Sequence, residues 1–218
     1  MPVVTGLEVH QRDKERVRLY LDDEYALDLP LMEAARLSRG QALTESEVAA
    51  LSGVGAVQRA YDQALRFLSY RPRSIDEVRR QLVRKSVPPS LVALVIERLQ
   101  ARGYVDDAAF AEFWIANRNR FKPMGLRALR YELRQKGLAD DIVHAALADF
   151  DESGSAYRAA DARASRYRGL SRESFRRKLG EFLRRRGFSG FTINDVTRRL
   201  LTELEERDPA YFHDNDAE

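Results

Sequence analysis

"LGEFLRRRGF", residues 179–188, is the third of three related segments in this chain. "VRRQLVRKSV" (78–87) and "LRYELRQKGL" (129–138) align with it without gaps, at offsets of 51 and 50 residues. The apolar positions coincide as Val78, Leu129 and Leu179, then Leu82, Leu133 and Leu183, then Val87, Leu138 and Phe188. Apolar residues four apart share one helix face, so each segment reads as an amphipathic helix. A basic residue (Lys85, Lys136 or Arg186) is followed by Ser86, Gly137 or Gly187 and then an apolar residue. That order predicts a helix stop in which the chain reverses and its first apolar side chain folds back on the helix. Basic groups in the last turn also suit the negative end of a helix. Each copy lies between two further helical stretches, which predicts a three-helix unit occurring three times.

Working outward, the helical periodicity runs almost without interruption from Gln58. Ser74 with Glu77 has capping-box spacing, Arg102-Gly103 reads as a helix end, and Asp106-Asp107 stands where the next helix is capped. The N-terminal part differs. "VVTGLEVH" (3–10), "ERVRLYL" (15–21) and a run from Glu24 that places Tyr25, Leu27 and Leu29 on one side predict a three-stranded antiparallel meander. A short helix near Pro30 to Leu37 and a second from Thr44, capped with Glu47, follow. The glycines of "LSGVGAV" (51–57) then mark a boundary. The expected fold is mainly α: three tandem three-helix repeats in an elongated array, preceded by a small β-meander with helices. The expected parts are a module over 1–57, repeats over 58–105, 106–150 and 151–206, and an acidic, disordered tail over 207–218.

The 218 residues contain no cysteine, which excludes disulfides, thiolate zinc sites and cysteine nucleophiles and fits a reducing compartment. No signal peptide or membrane-spanning run is visible, so a cytoplasmic protein without membrane contact is expected. A net charge of +3 conceals an asymmetry. Residues 1–57 carry 6 basic and 10 acidic groups, 58–206 carry 30 and 20, and 207–218 carry 1 and 4. Contact with a polyanion is therefore expected from the repeats.

The search for catalytic groups is nearly empty. His10, His144 and His213 are far apart, and there is neither a phosphate-binding glycine loop nor a nucleophile elbow. Asp106-Asp107 and Asp140-Asp141 read as helix caps in preference to acid pairs or Mg²⁺ ligands. No enzyme, metal or cofactor is expected. Tandem helical units need neighbours to bury a core and leave long surfaces suited to macromolecules. In the second copy Arg127, Arg130 and Arg134 each follow the apolar stripe Leu126, Leu129, Leu133 by one position, about 100° round the helix. The third copy supplies Arg176, Arg177, Arg184, Arg185 and Arg186, and the first Arg79, Arg80, Arg84 and Lys85. For any one arginine a solvated helix face is the plain alternative. Across 157–199, however, 13 basic residues meet only 4 acidic ones, too few for mutual neutralisation. Guanidinium forks engage phosphate and carboxylate alike, so the anion stays open. Tyr157, Tyr167, Phe175 and Phe188, like Phe110, Phe113 and Trp114, read as packing residues before base-stacking ones.

"RPRSIDEV" (71–78), "GYVDDAAFA" (103–111), "ELRQKGL" (132–138) and "LRRRGF" (183–188) together resemble the RecX family of recombination regulators, over residues 58–206. Ser86 stands where that family often has glycine. The resemblance implies a three-repeat, non-catalytic monomer that binds the filament of the RecA recombinase, with single- or double-stranded DNA inside it, and most often inhibits ATP hydrolysis and strand exchange. On that reading Arg127, Arg130, Arg134, Lys136, Arg176, Arg177, Arg184, Arg185 and Arg186 make the main contacts, and Arg71, Arg73 and Lys85 add to them. The alternatives are a stand-alone DNA-binding protein with helix-turn-helix-like units, and a helical adaptor for another acidic protein.

Overall fold

A computed structural model of the chain describes residues 1–11 and 13–213. It is built as two compact units, one from Met1 to Val105 and one from Asp106 onward.

The first unit opens with strands β1 (Val4–Val9), β2 (Arg16–Leu21) and β3 (Glu24–Pro30), antiparallel in that order. Asp22 and Asp23 both have positive φ, 49° and 68°, as a two-residue type I′ hairpin requires. Val4, Val17, Leu19, Leu27 and Leu29 bury one face of the sheet against Ala34 and Leu43. Tyr25 does not join them. The register slips between Leu19↔Leu27 and Tyr20↔Tyr25, and the extra residue turns Tyr25 outward, edge-on to Tyr20. Helix α1 (Leu31–Ala34) is a single turn, and α2 (Glu45–Leu68) begins with the expected reciprocal cap between Thr44 and Glu47.

Helix α2 runs unbroken through 51–57, so the glycines there end nothing. Gly55 faces the sheet, where an added Cβ would lie 2.5 Å from the Asp28 carbonyl oxygen. Its missing side chain lets α2 lie close on β3, and the helix belongs to both the N-terminal module and the first repeat. Arg16 of β2 pairs with Asp62 of α2, and Gln58 binds both Asp62 and Arg98, which strengthens the connection.

Three helices recur in each repeat: α2 with α3 (Ile75–Arg84) and α4 (Pro89–Ala101); α5 (Asp107–Phe121), α6 (Leu126–Gln135) and α7 (Asp140–Leu147); and α8 (Glu152–Ala164), α9 (Arg172–Arg185) and α10 (Gly190–Arg207). The aligned residues Val78, Leu129 and Leu179, and Leu82, Leu133 and Leu183, are all buried. Each is worth about 1.5 to 3 kcal/mol of transfer free energy. Contrary to expectation, each repeat has its own core cluster. Phe175, Phe188, Phe110 and a half-buried Trp114 pack as expected, whereas Phe113 is exposed.

The helix stops follow one design. In the three aligned copies the N–H of Val87, Leu138 and Phe188 donates to the carbonyl of Leu82, Leu133 and Leu183, and that of Ser86, Gly137 and Gly187 to Val83, Arg134 and Arg184. The turning residues have φ of 59°, 82° and 81°. This is the double hydrogen bond of a Schellman stop. Helix α4 ends the same way, through Gly103 and Tyr104. Asp106 caps α5 by accepting from the N–H of Ala108 and Ala109. Asp140 and Asp141 instead lie inside the first turn of α7, favourable to the positive helix end.

Arg207 completes α10, and the chain beyond it is folded through residue 213. Tyr211 and Phe212 are buried against Phe175, and the Tyr211 hydroxyl donates to the Ala164 carbonyl. The expected disordered tail is thereby corrected for 207–213, because two buried aromatics outweigh the local acidic charge. Residues 214–218 lie outside the described residues.

Candidate polyanion-binding groove

The second unit brings the N-terminus of α6 against the C-terminus of α9. The Gly125 N–H donates to the Arg186 carbonyl at 2.9 Å, and the Arg186 guanidinium returns a bond to the Pro123 carbonyl at 3.1 Å. The backbones touch so closely that a Cβ on Gly125 would lie 2.3 Å from the Gly187 oxygen, and one on Gly187 would lie 2.5 Å from Ala128 Cβ. Glu152 of α8 braces the joint by accepting from the Leu126 N–H and from the Thr192 hydroxyl, at the starts of α6 and α10. The joint holds the two arginine-bearing helix surfaces together.

Arg127, Arg130 and Arg134 of α6 and Arg184 and Arg185 of α9 line one groove of about 800 Å³, with Tyr131 between them. Among the described residues, Arg127, Arg130, Arg184 and Arg185 have no carboxylate partner; Arg134 pairs with Asp140 at 2.7 Å on the open surface. Among the described residues Glu181 is the one acidic member of the lining, so these side chains make the groove strongly positive. Tyr131 is 65% exposed. Like charges this close repel, and a polyanion entering the groove relieves the repulsion. The arginine forks can bind its oxygens in pairs.

The other expected contact residues have different surroundings. Arg186 is partly buried in the joint, its guanidinium 4.9 Å from the Phe182 ring centre; burial, then the charge of Arg163, lowers its pKa. Lys136 lies 4.5 Å over the Trp114 ring, which Arg118 also approaches, at 4.2 Å. Arg71 forms two hydrogen bonds to Glu77, and Arg73 stacks 4.0 Å over Phe67, where burial and then the Arg71 charge lower its pKa. Lys85 lines a separate shallow groove with Phe67 and Tyr70. Arg176 is grouped with Arg172 and Arg198 in another, and Arg177 is exposed on the same helix. Five of the twelve expected residues therefore converge. Tyr131, absent from the sequence-based set, joins them; its signal was an aromatic at the helix position that carries Arg80 and Glu181 in the other copies.

Among the described residues no group of three His, Asp or Glu side chains could hold a metal ion, and no helix is long and apolar enough to cross a membrane.

Comparison with known proteins matches residues 60–99 to the RecX first three-helix domain and 106–147 to the RecX second three-helix domain. Regulatory protein RecX of Bacillus subtilis is 30% identical over 211 residues, spanning 94% of this chain and 80% of that protein. Regulatory protein RecX of Prosthecochloris aestuarii is 38% identical over 145 residues, 66% of this chain and 95% of that protein. A crystal structure of regulatory protein RecX superposes with a TM-score of 0.74 at 25% identity, covering 91% of this chain and all (100%) of that one. RecX from Lactobacillus salivarius shares the fold, with a TM-score of 0.61 at 23% identity over 67% of this chain and 97% of its own. With the repeats, their helix stops and these matches in agreement, the chain belongs to the RecX family.

Proposed function

We propose that this protein is a non-catalytic regulator that binds the filament formed by the RecA recombinase on DNA and slows its ATP hydrolysis and strand exchange, acting as a monomer in the cytoplasm. Family membership supports the regulatory role. The observation that carries the contact surface is the convergence of Arg127, Arg130, Arg134, Arg184 and Arg185 on one groove, four of them without a carboxylate partner among the described residues. A nucleoprotein filament offers both anions that such forks bind, DNA phosphates and protein carboxylates. Tyr131 adds a ring face on which an unstacked base can lie. Arg176, Arg177 and Lys85 extend the contact as secondary anion contacts. Lys136 and Arg186 act on it indirectly, by holding the helices of the second unit, whereas Arg71 and Arg73 are engaged within the first repeat, by Glu77 and Phe67.

The test is a titration of the full chain into preformed RecA–DNA filaments while ATP hydrolysis is followed, beside a titration of bare single-stranded DNA. Loss of hydrolysis well below the concentration that saturates bare DNA is the expected result. Equal affinity for bare DNA with no effect on hydrolysis would instead favour a stand-alone DNA-binding protein, with a steep salt dependence from counterion release.

A further inference from the structure

Helix α2 has a second face that the fold leaves open. Gly55, Ala60, Tyr61 and Ala64 are buried, but Ala50, Gly53, Val54 and Val57, spaced i, i+3, i+4 and i+7, floor a groove of about 920 Å³ in the first unit. Leu31 and Met32 of α1 form one wall, and Leu91 and Leu94 of α4 the other. Met32 is 72% and Leu94 50% exposed, so the apolar surface is continuous and in contact with water. Contiguous apolar surface of this kind marks an interaction site.

One feature goes beyond exposure. Gly53 sits in the middle of a 24-residue helix, where glycine weakens the helix relative to alanine. Unlike Gly55, it has no neighbour to accommodate, since a Cβ there would have nothing within 4 Å. The fold does not require the missing side chain, whereas a second backbone approaching the floor would.

The two rims carry opposite charge. Asp13, Glu15 and Glu33 lie on the α1 side, where the Leu31 N–H donates to the Glu15 carbonyl; Arg16 lines the same side, paired with Asp13 and Asp62, and Glu33 pairs with Arg36, so carboxylates still outnumber the guanidinium in that rim of the lining, while Arg98 and Arg102 lie on the α4 side. A polyanion would meet the carboxylates and be repelled. An α-helix fits instead, because a floor of residues three and four apart accepts the ridges of another helix. We propose that this groove docks an amphipathic α-helix of a partner protein. Its apolar residues recur at i, i+3, i+4 and i+7. Its α1-side flank is basic and its α4-side flank acidic.

The experiment uses the full chain and a labelled synthetic amphipathic helix of about four turns with that flank pattern. A second peptide of the same composition has the two flanks exchanged. Anisotropy is expected to show the matched peptide binding at least about tenfold more tightly than the exchanged one. Gly53→Leu, which fills the floor with a better helix former, is expected to abolish that difference. Gly53→Ala is expected to raise the melting temperature. Absent binding, equal affinity for both peptides, or indifference to Gly53→Leu would overturn the proposal. So would a lower melting temperature for Gly53→Ala, which would give Gly53 a role in folding. Sedimentation that showed a dimer abolished by Gly53→Leu would also overturn it, assigning the groove to a second copy of this chain.

Discussion

The first repeat and the joint between the second and third repeats end their middle helices with the same hydrogen bonds and use the surrounding residues differently. In the first repeat Ser86 makes the turn, Arg71 is bound to Glu77, and Arg79 and Arg80 pair with Asp76 within α3. In the joint Gly187 makes the turn, and its backbone lies directly on Ala128 and Gly125 of the neighbouring repeat. There the arginines of α6 and α9 meet, most of them without an acidic partner among the described residues. One helix stop thus serves only to reverse the chain in one place, and in the other it also assembles a charged surface. Aligned positions carry the shared fold, and the residues next to them carry the difference in use.

The largest expected effect breaks this comparison at its turning residue. Gly187→Ser places in the joint the residue that the first repeat uses at the same position. The substitution adds a side chain at φ 81° and drives its Cβ against the Ala128 Cβ and N at 2.5 and 2.7 Å. The left-handed backbone costs about 1 to 2 kcal/mol, and the overpacking about 1 to 3 kcal/mol. Urea unfolding should show the second unit destabilised by roughly the sum of these two. A cost below about 1 kcal/mol would mean that the repeats separate easily at this joint.

The next effect concerns binding. Arg130→Glu with Arg134→Glu turns two groove cations into anions and should weaken filament binding about 10- to 100-fold while circular dichroism stays unchanged. Arg79→Glu with Arg80→Glu in the first repeat should weaken it much less, because those guanidinium groups already face Asp76. Equal losses from the two pairs would mean that net charge, and not the groove, determines binding. Unchanged inhibition of ATP hydrolysis by the folded Arg130/Arg134 variant would remove the groove from the proposed function.

The helix stops were legible in the sequence because each is encoded within ten residues: Leu133, Lys136, Gly137 and Leu138 contain the apolar anchor, the cap, the turn and the returning contact. The convergence of Arg127, Arg130 and Arg134 with Arg184 and Arg185 was legible only as a list of basic residues. What brings them together is a backbone contact between Gly125 and Arg186, and neither residue announces it. Which arginines are already engaged was equally hidden. Glu77 lies six positions from Arg71, and Asp140 lies beyond the helix stop from Arg134, so both pairings depend on how the chain turns. Gly55 and Tyr211 failed for the complementary reason. Locally a glycine signals a break and an acidic tail signals disorder, and tertiary packing on Asp28 and Phe175 overrides both signals.

A smaller change sharpens the comparison from the other side. Ser86 holds φ 59° without glycine's freedom, and it is exposed. Ser86→Gly gives the first repeat the turning residue of the other two. It should stabilise the first unit by about 0.5 to 1 kcal/mol, the relief of left-handed strain less the added freedom of the unfolded chain. The measurement is the urea midpoint at constant slope. A loss of stability would show that the Ser86 side chain contributes more than its backbone costs.

The smallest effect tests an arginine of the third repeat that is engaged, unlike those of the groove. Glu203 of α10 accepts from the Tyr157 hydroxyl and from Arg199, and these two bonds, Tyr157 first, hold its carboxyl below the ordinary value of 4.5. The same bond to Glu203, with burial second, raises the Tyr157 pKa above its ordinary 10.0. A lowered carboxyl contributes stability that is present above its ordinary value and is lost as pH falls through its folded value. A raised phenol contributes stability that is present below its ordinary value and is lost as pH rises through its folded value. The intact bond should therefore give two edges to the pH–stability curve, one just below pH 4.5 and one above pH 10.0. Both should be shallow and weakened by salt, since the groups are near the surface. Tyr157→Phe should remove its own share of the alkaline edge, leaving those of Tyr25 and Tyr211, and reduce the acid one, leaving the part that Arg199 supplies. Glu203→Gln should remove the whole of this clamp's share of the acid edge, leaving the share of Glu47, whose carboxyl the Thr44 cap also holds low. An acid edge of undiminished height in Tyr157→Phe would assign the clamp to Arg199 alone, and the tie between α8 and α10 would then rest on apolar packing.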